Sequence, residues 1–360
     1  MLLSACGANA LPMGATPAYF DGQVMSRSHA GVGGLQLFVM PDATDAFLLK
    51  AIAGARSSLQ IENYMLTDQA TIQAVLAAKQ RGVAVQVSLE PHPYLGDNPP
   101  PVGPNQHTAA TLAKAGIQVH WTNPRFTYTH AKFMLVDAKT AFVSSANFTH
   151  SGLGGNREYI VQDTQTADVA DLERLFQTDY VDGNYTPSAA DLVISPVNSR
   201  QQLLNLIASA RSDIKIQDEE AGDAALNQLL KQKLAQGVHV EAMLAQESAL
   251  PSAPGEPVQT PGNVITARTW ASYGAQVRFQ SNPYLHAKAV VVDGTRMYVG
   301  SVNLSTNSMD HNREVGILLD APALVSPVLS AMATDWKNAV PANQPQPAPG
   351  PNGLLPRLAL

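Results

Sequence analysis

The chain has 360 residues, enough for two domains of ordinary size, and its 45% hydrophobic content and mean hydropathy of −0.06 suit a globular protein in water. Its 23 Lys and Arg against 29 Asp and Glu leave a net charge of −6, which argues against a general nucleic-acid binder, because such binding draws on a basic surface. No run approaches the roughly 18 apolar residues that cross a bilayer, and one cysteine, Cys6, excludes an intrachain disulfide or a thiolate metal cluster.

Residues 1–34 read as a leader or tether rich in small residues. Leu3-Ser4-Ala5-Cys6 resembles the lipobox of bacterial lipoproteins, although only five residues precede Cys6, fewer than an apolar h-region needs. That resemblance implies export and lipidation at Cys6, with the protein periplasmic or anchored to a membrane; without it, the chain reads as cytoplasmic. Two lobes follow, at 35–185 and 186–340, with one order of elements: helix, strand, helix, strand, helix, strand, a hairpin and a closing helix. Ala53-Gly54-Ala55-Arg56-Ser57 leads into Leu59-Gln60-Ile61, as Ala208-Ser209-Ala210-Arg211-Ser212 leads into Ile214-Lys215-Ile216. Lys79-Gln80-Arg81-Gly82-Val83 before Val85-Gln86-Val87 matches Leu234-Ala235-Gln236-Gly237-Val238 before Val240-Glu241-Ala242-Met243. Gly82, Gly116, Gly237 and Gly274 sit where helices end, and the β-branched runs after them read as buried strands. Duplication of an α/β unit is expected. Pro-rich loops at Pro91–Pro104 and Pro251–Pro261 fall at matching places and are expected to overhang the site. Residues 341–360 form a Pro-rich, extended tail.

The chemistry lies in a doubled pattern. His130, Lys132 and Asp137 are followed by Asn147 and by Glu158 in Asn156-Arg157-Glu158; His286, Lys288 and Asp293 are followed by Asn303 and by Glu314 in Asn312-Arg313-Glu314. Every member keeps its distance from its own histidine in both copies. Two histidines, two lysines and two asparagines are the parts that hold a phosphodiester, attack it and expel its leaving group. Residues two apart on a strand share a face, so each histidine projects with its lysine. Asp293-Gly294 is a hairpin-turn dipeptide. Pairing 293 with 296, and 137 with 140, sets His286 opposite Asn303 and His130 opposite Asn147. Asp137 and Asp293 then lie at the far end, by the turns, as structural residues. Glu158 and Glu314, on the next strand, are placed to accept the Nδ1–H of a histidine and so fix its tautomer. His29, His92, His107, His120, His150, His239 and His311 have no metal-ligand spacing and read as non-catalytic.

On these residues the chain resembles the phospholipase D superfamily over about residues 35–340. It departs at Ser144-Ser145, where Gly-Ser or Gly-Gly is usual; the second copy keeps Gly300-Ser301. The resemblance implies two similar α/β lobes, each a mixed central sheet flanked by helices, packed about a pseudo-twofold axis. It implies a monomer with both motifs in one site and no metal or cofactor. His130 is then the nucleophile that forms a phosphohistidine and His286 the acid and base, while Lys132, Lys288, Asn147 and Asn303 hold the phosphate oxygens. The expected substrate is a phospholipid at a membrane surface, hydrolysed or transferred. That expectation uses the acidic charge, Cys6, and the aromatics Trp121, Phe126, Tyr128, Trp270, Phe279 and Tyr284 ahead of the motifs. The alternatives are a nuclease acting on DNA or RNA, a cardiolipin synthase-like phosphatidyltransferase (whose usual N-terminal membrane helices have no counterpart here) and a non-catalytic binding scaffold.

Overall fold

A computed structural model describes residues 29–95, 100–246 and 260–343. Cys6, most of the second Pro-rich loop, four residues of the first and the tail beyond 343 lie outside the described residues.

The first lobe runs β1 (His29–Val32), β2 (Leu35–Met40), α1 (Ala46–Gly54), β3 (Ser58–Asn63), α2 (Gln69–Gln80), β4 (Ala84–Leu89), α3 (Pro104–Ala113), β5 (Val119–Trp121), β6 (Lys132–Val136), β7 (Thr140–Ser144), α4 (His150–Gly154), β8 (Glu158–Asp163) and α5 (Thr166–Tyr180). The second runs β9 (Leu192–Ser195), α6 (Ser199–Ala208), β10 (Asp213–Asp218), α7 (Ala224–Ala235), β11 (His239–Ala245), α8 (Gly262–Ser272), β12 (Gln276–Gln280), β13 (Lys288–Val292), β14 (Arg296–Gly300), α9 (Thr306–Asp310), β15 (Glu314–Asp320), α10 (Pro322–Asn338) and β16 (Val340–Pro341).

The sheet orders are β1-β2-β8-β7-β6-β3-β4-β5 and β16-β12-β11-β10-β13-β14-β15-β9. Read in one direction they share a seven-stranded unit, with β1 and β16 added at opposite edges. Both sheets are mixed: β3, β4 and β5 are parallel, as are β10, β11 and β12, and the other pairs are antiparallel. The sequence reading began each lobe at a helix and missed β2 and β9, which pair with β8 and β15.

Local chemistry repeats with the topology. Asp68 and Asp223 cap α2 and α7 by accepting the backbone N–H of Thr71 and Leu226. Gly82, Gly116, Gly237 and Gly274 all have positive φ, the conformation that ends a helix without a Cβ penalty.

Each lobe has an outer core between its sheet and its first three helices, built in one on Ile61, Val75 and Val87 and in the other on Ile216, Leu230 and Trp270. A third core joins the lobes. Phe133, Tyr159 and Val161 of the first sheet pack with Ala289, Val291, Met297 and Val315 of the second, closed off by Phe176 on α5 and Val328 on α10. Full burial of one such side chain is worth roughly 1.5–3 kcal/mol. A shared core of this size makes the lobes one body.

One expectation about the hairpins needs correction. Val136 faces Thr140 and Val292 faces Arg296, so three residues separate the paired positions instead of two. Asp137 and Ala138, and likewise Asp293 and Gly294, all take positive φ, and the tight turn they form is closed by Lys139 N–H to the Val136 carbonyl and Thr295 N–H to that of Val292. The register therefore slips by one residue. The ladders end at Lys132 and Ser144, and at Lys288 and Gly300, so each histidine and asparagine lies just beyond the paired strands.

Candidate active site

The lobes are stitched together by backbone at the motif histidines. Thr129 bridges to Arg313, with His130 N–H donating to the Arg313 carbonyl at 2.8 Å and Arg313 N–H to that of Tyr128 at 2.9 Å. The mirror contact joins Arg157 to Leu285, with Arg157 N–H to the Tyr284 carbonyl at 2.8 Å and His286 N–H to that of Arg157 at 3.3 Å. Each histidine segment is thereby zipped to the Asn-Arg-Glu segment of the other lobe.

The side chains follow the same exchange. His130 Nδ1 lies 2.9 Å from Glu314 Oε2, and His286 Nδ1 lies 2.6 Å from Glu158 Oε1. Both glutamates are fully buried and held in turn: Ser145 donates to Glu158 at 2.5 Å, while Ser308 and Asn312 donate to Glu314 at 2.9 and 3.0 Å. A carboxylate on Nδ1 leaves Nε2 as the free ring nitrogen. The arginines cross over too. Arg157 forks onto Asp335 of α10 at 2.7 and 3.0 Å, and Arg313 onto Asp179 of α5 at 2.8 and 3.0 Å. The sequence reading quoted both arginines but gave them no role. The two aspartates stand 156 residues apart, as the histidines do, so the repeat itself could have exposed them.

Lys132 and Lys288 have no exposed surface, and each Nζ donates to the carbonyl of its own histidine, at 2.7 and 2.6 Å. Burial lowers the Lys132 pKa to about 7 against the pull of Glu314. For Lys288 burial acts the same way, but Glu219 and Glu158 outweigh it and raise the pKa. Burial also lowers that of His130 to about 4, with Glu314 opposing and Lys132 assisting, so its imidazole is neutral at neutral pH. Asn147 and Asn303 are buried, and their amide oxygens have no hydrogen-bond partner among the described residues.

Asp137 and Asp293 are remote from this group. Asp137 accepts the backbone N–H groups of Arg56, Ser57 and Ser58 and the Ser57 hydroxyl; Asp293 does the same for Arg211, Ser212 and Asp213 and the Ser212 hydroxyl. Their modest burial works the other way, yet these donors hold both carboxyls down at about 2. The repeated Ala-Arg-Ser segments are thus the docking points of the motif aspartates.

The departure at Ser144 has a physical compensation. In the second lobe the Tyr298 hydroxyl accepts Val302 N–H at 2.8 Å, and a Cβ on Gly300 would meet that hydroxyl at 2.7 Å. In the first lobe Phe142 replaces the tyrosine and lacks the hydroxyl. Ser144 supplies it, accepting Ala146 N–H at 2.8 Å.

Two residues at the site had not been singled out. The Tyr64 ring meets His130 edge-on at 4.6 Å, with Lys132 Nζ 5.1 Å from its centre. Glu219 Oε2 lies 2.8 Å from Lys288 Nζ and 3.4 Å from His286 Nε2. Of the aromatics expected near the site, Tyr284 reaches Glu219 at 3.3 Å and Tyr128 packs on Tyr64. Trp270 and Phe279 do not: both are buried in the outer core of the second lobe, where the Trp270 ring N–H is taken by Asn227. Phe126 packs on the Arg313 guanidinium, and Trp121 is exposed at 38%.

Two His-Lys-Asn sets, oriented by exchanged glutamates between duplicated mixed-sheet lobes, define a member of the phospholipase D superfamily. Within it, the chain belongs to the family described as "Cardiolipin synthase, PLD-like domain", whose model matches residues 48–180 and again 203–336. The mitochondrial cardiolipin hydrolase of Mus musculus is 35% identical over 120 residues, 33% of this chain and 50% of that protein. The cardiolipin synthase of Oceanobacillus iheyensis is 26% identical over 219 residues, 53% of this chain and 44% of that protein. The chain therefore spans half or less of the length of these relatives. Among solved structures, phosphatidylserine synthase from Haemophilus influenzae has a TM-score of 0.63 at 14% identity, covering 88% of this chain and 89% of that one. Polyphosphate kinase from Porphyromonas gingivalis has a TM-score of 0.62 at 17% identity, covering 84% of this chain and 50% of that one. At these identities the likeness is one of fold. No helix among the described residues is long and apolar enough to cross a membrane.

Proposed function

We propose that the chain cleaves or transfers the phosphatidyl group of phospholipids in two steps through a phosphohistidine. The observation that carries this reading is the pair of exchanged His–Glu contacts beside two buried lysines. His130, neutral and with Nε2 free, attacks phosphorus. His286 gives its Nε2 proton to the departing alkoxide, then takes one from water or an acceptor alcohol as that oxygen displaces His130. Lys132, Lys288, Asn147 and Asn303 hold the non-bridging oxygens, whose charge persists through both steps. The lysines provide the positive charge that other phosphodiesterases draw from metal ions. Asp137 and Asp293 serve the fold. The choice of His130 as nucleophile draws on Glu219, which stands against Nε2 of His286; among the described residues Nε2 of His130 meets no such carboxylate.

The membrane phospholipids named for the relatives support a lipid substrate over DNA. The test incubates purified protein, in EDTA, with phosphatidylethanolamine, phosphatidylglycerol and plasmid DNA in parallel, with and without an added alcohol. Phosphatidic acid as product marks hydrolysis and a new phosphatidyl alcohol marks transfer. Nicked DNA with intact lipid would overturn the lipid reading, and dependence on a divalent metal would overturn the mechanism.

A further inference from the structure

The two halves of the site differ in charge at one place. Tyr64 and Glu219 each follow the last residue of equivalent strands, β3 and β10, and stand 155 residues apart, as Ile61 and Ile216 do. One half therefore offers an aromatic ring to its histidine and lysine, and the other a carboxylate. Glu219 is also bonded at its second oxygen, Oε1, by the Tyr284 hydroxyl at 3.3 Å.

The charges of Lys132 and Lys288 are matched by Glu158 and Glu314. Asp218, buried beside Lys288, has its pKa pushed well up by that burial, toward the uncharged character of its counterpart Asn63. Glu219 differs: burial would raise its pKa, but His286 and Lys288 overcome this and hold it well below the carboxylate range. It stands as a third carboxylate, balanced by the proton that His286 carries in its role as acid. It is also the most open of these groups, with 22% of its side chain exposed against none for either lysine, Glu158 or Glu314. A phosphodiester on its own would add an uncompensated negative charge. A phosphodiester whose alcohol carries an ammonium is a zwitterion that adds no net charge, and its ammonium can pair with Glu219.

Glu219 stands beside the histidine that serves the leaving group, so its natural contact is the substituent of that alcohol. We propose that Glu219 and the Tyr284 hydroxyl form the leaving-alcohol subsite, selecting phosphodiesters of alcohols that bear a primary ammonium. When substrate enters, a phosphate oxygen takes Lys288 and the ammonium takes Glu219. The same subsite binds the acceptor in the second step. This rests on the phosphodiester chemistry and on the role of His286 proposed above.

The test compares kcat/KM on vesicles of phosphatidylethanolamine and of phosphatidylglycerol, with bis(4-nitrophenyl) phosphate as a lipid-free diester. The proteins are the wild type, Glu219→Gln and Glu219→Tyr, each checked for an unchanged Tm. The wild type is expected to favour the ethanolamine lipid by on the order of tenfold or more, the scale of one charge-assisted hydrogen bond, and both substitutions to bring the ratio toward one. A wild-type preference for the glycerol lipid overturns the proposal without any variant. So does a ratio that survives both substitutions while the two rates fall together, since Glu219 would then only position His286 and Lys288. Cleavage of the nitrophenyl diester with neither lipid touched removes the phospholipid reading, and the subsite with it.

Discussion

Replacing Glu158 with glutamine should damage the chemistry of the opposite lobe, and only for substrates that need a proton. Glu158 is fully buried and lies 2.6 Å from Nδ1 of His286. Glutamine keeps the shape and an acceptor oxygen but removes the charge that supports the protonated ring. A buried ionic contact this close is taken at the scale of a charge-assisted hydrogen bond, about 1.5–3 kcal/mol, which at 1.36 kcal/mol per decade is about 10–150-fold in rate. An alkyl leaving group needs the proton of His286, so Glu158→Gln should lower kcat on an alkyl diester by that factor. A 4-nitrophenolate leaves without help. On a 4-nitrophenyl diester the same variant should release a rapid burst approaching one equivalent, followed by slow turnover, because water attack on the phosphohistidine still needs His286. Glu314→Gln, which disturbs His130, should slow both substrates alike and show no burst. Stopped-flow absorbance measures both. Equal behaviour of the two variants on both substrates would refute the division of roles, and a reversed pattern would put the nucleophile on His286.

The free protein should show a bell-shaped kcat/KM profile centred near pH 5.5, because His130 must be neutral (pKa about 4) and Lys132 charged (pKa about 7); Lys132→Arg should extend the alkaline limb if it retains activity. Arg157→Ala leaves Asp335 buried without its cation and should cost about 3–5 kcal/mol in chemical denaturation, whereas loss of a part-exposed pair such as Lys215–Glu241 would cost far less. Glu62 is fully buried, with neither oxygen hydrogen-bonded among the described residues; burial and then Asp179 raise its pKa well above 4.5, with Arg313 opposing. Its unfolded form ionises above about pH 4.5 and its folded form stays protonated, so its contribution to stability is whole below that pH and is lost as pH rises. Glu62→Gln should accordingly raise Tm by a few degrees at about pH 7.5 and by little near pH 4.5.

Much of the fold was legible because duplication writes the same elements twice. The matching offsets of Gly82 and Gly237, and of the histidines, marked two equivalent lobes, and the seven-stranded unit repeats accordingly. The hairpin arithmetic failed by one residue because a run of positive-φ positions at Asp137–Ala138 and Asp293–Gly294 adds a residue that a two-residue turn does not have. Strands β2 and β9 escaped notice because they are short, buried runs beside prolines. Within the site, the motif pointed to histidine, lysine and glutamate, but not to which glutamate meets which histidine. That pairing depends on how the lobes dock, and spacing within a lobe carries no trace of it. Glu219 was invisible for the opposite reason: it sits where the two copies diverge, so a comparison built on likeness passes over it. For Trp270 and Phe279 the sequence left site and core packing both open, and they face the outer core.

The exchanged glutamates also determine when the protein becomes chemically competent. Until the lobes have closed on one another, His130 and His286 each lack the carboxylate that orients the ring, so a nascent or half-unfolded chain carries two motifs and no working imidazole. Catalysis becomes a property of completed folding. A phosphodiesterase of the kind proposed above would thereby be silent until it is whole, and fall silent again if the lobes part.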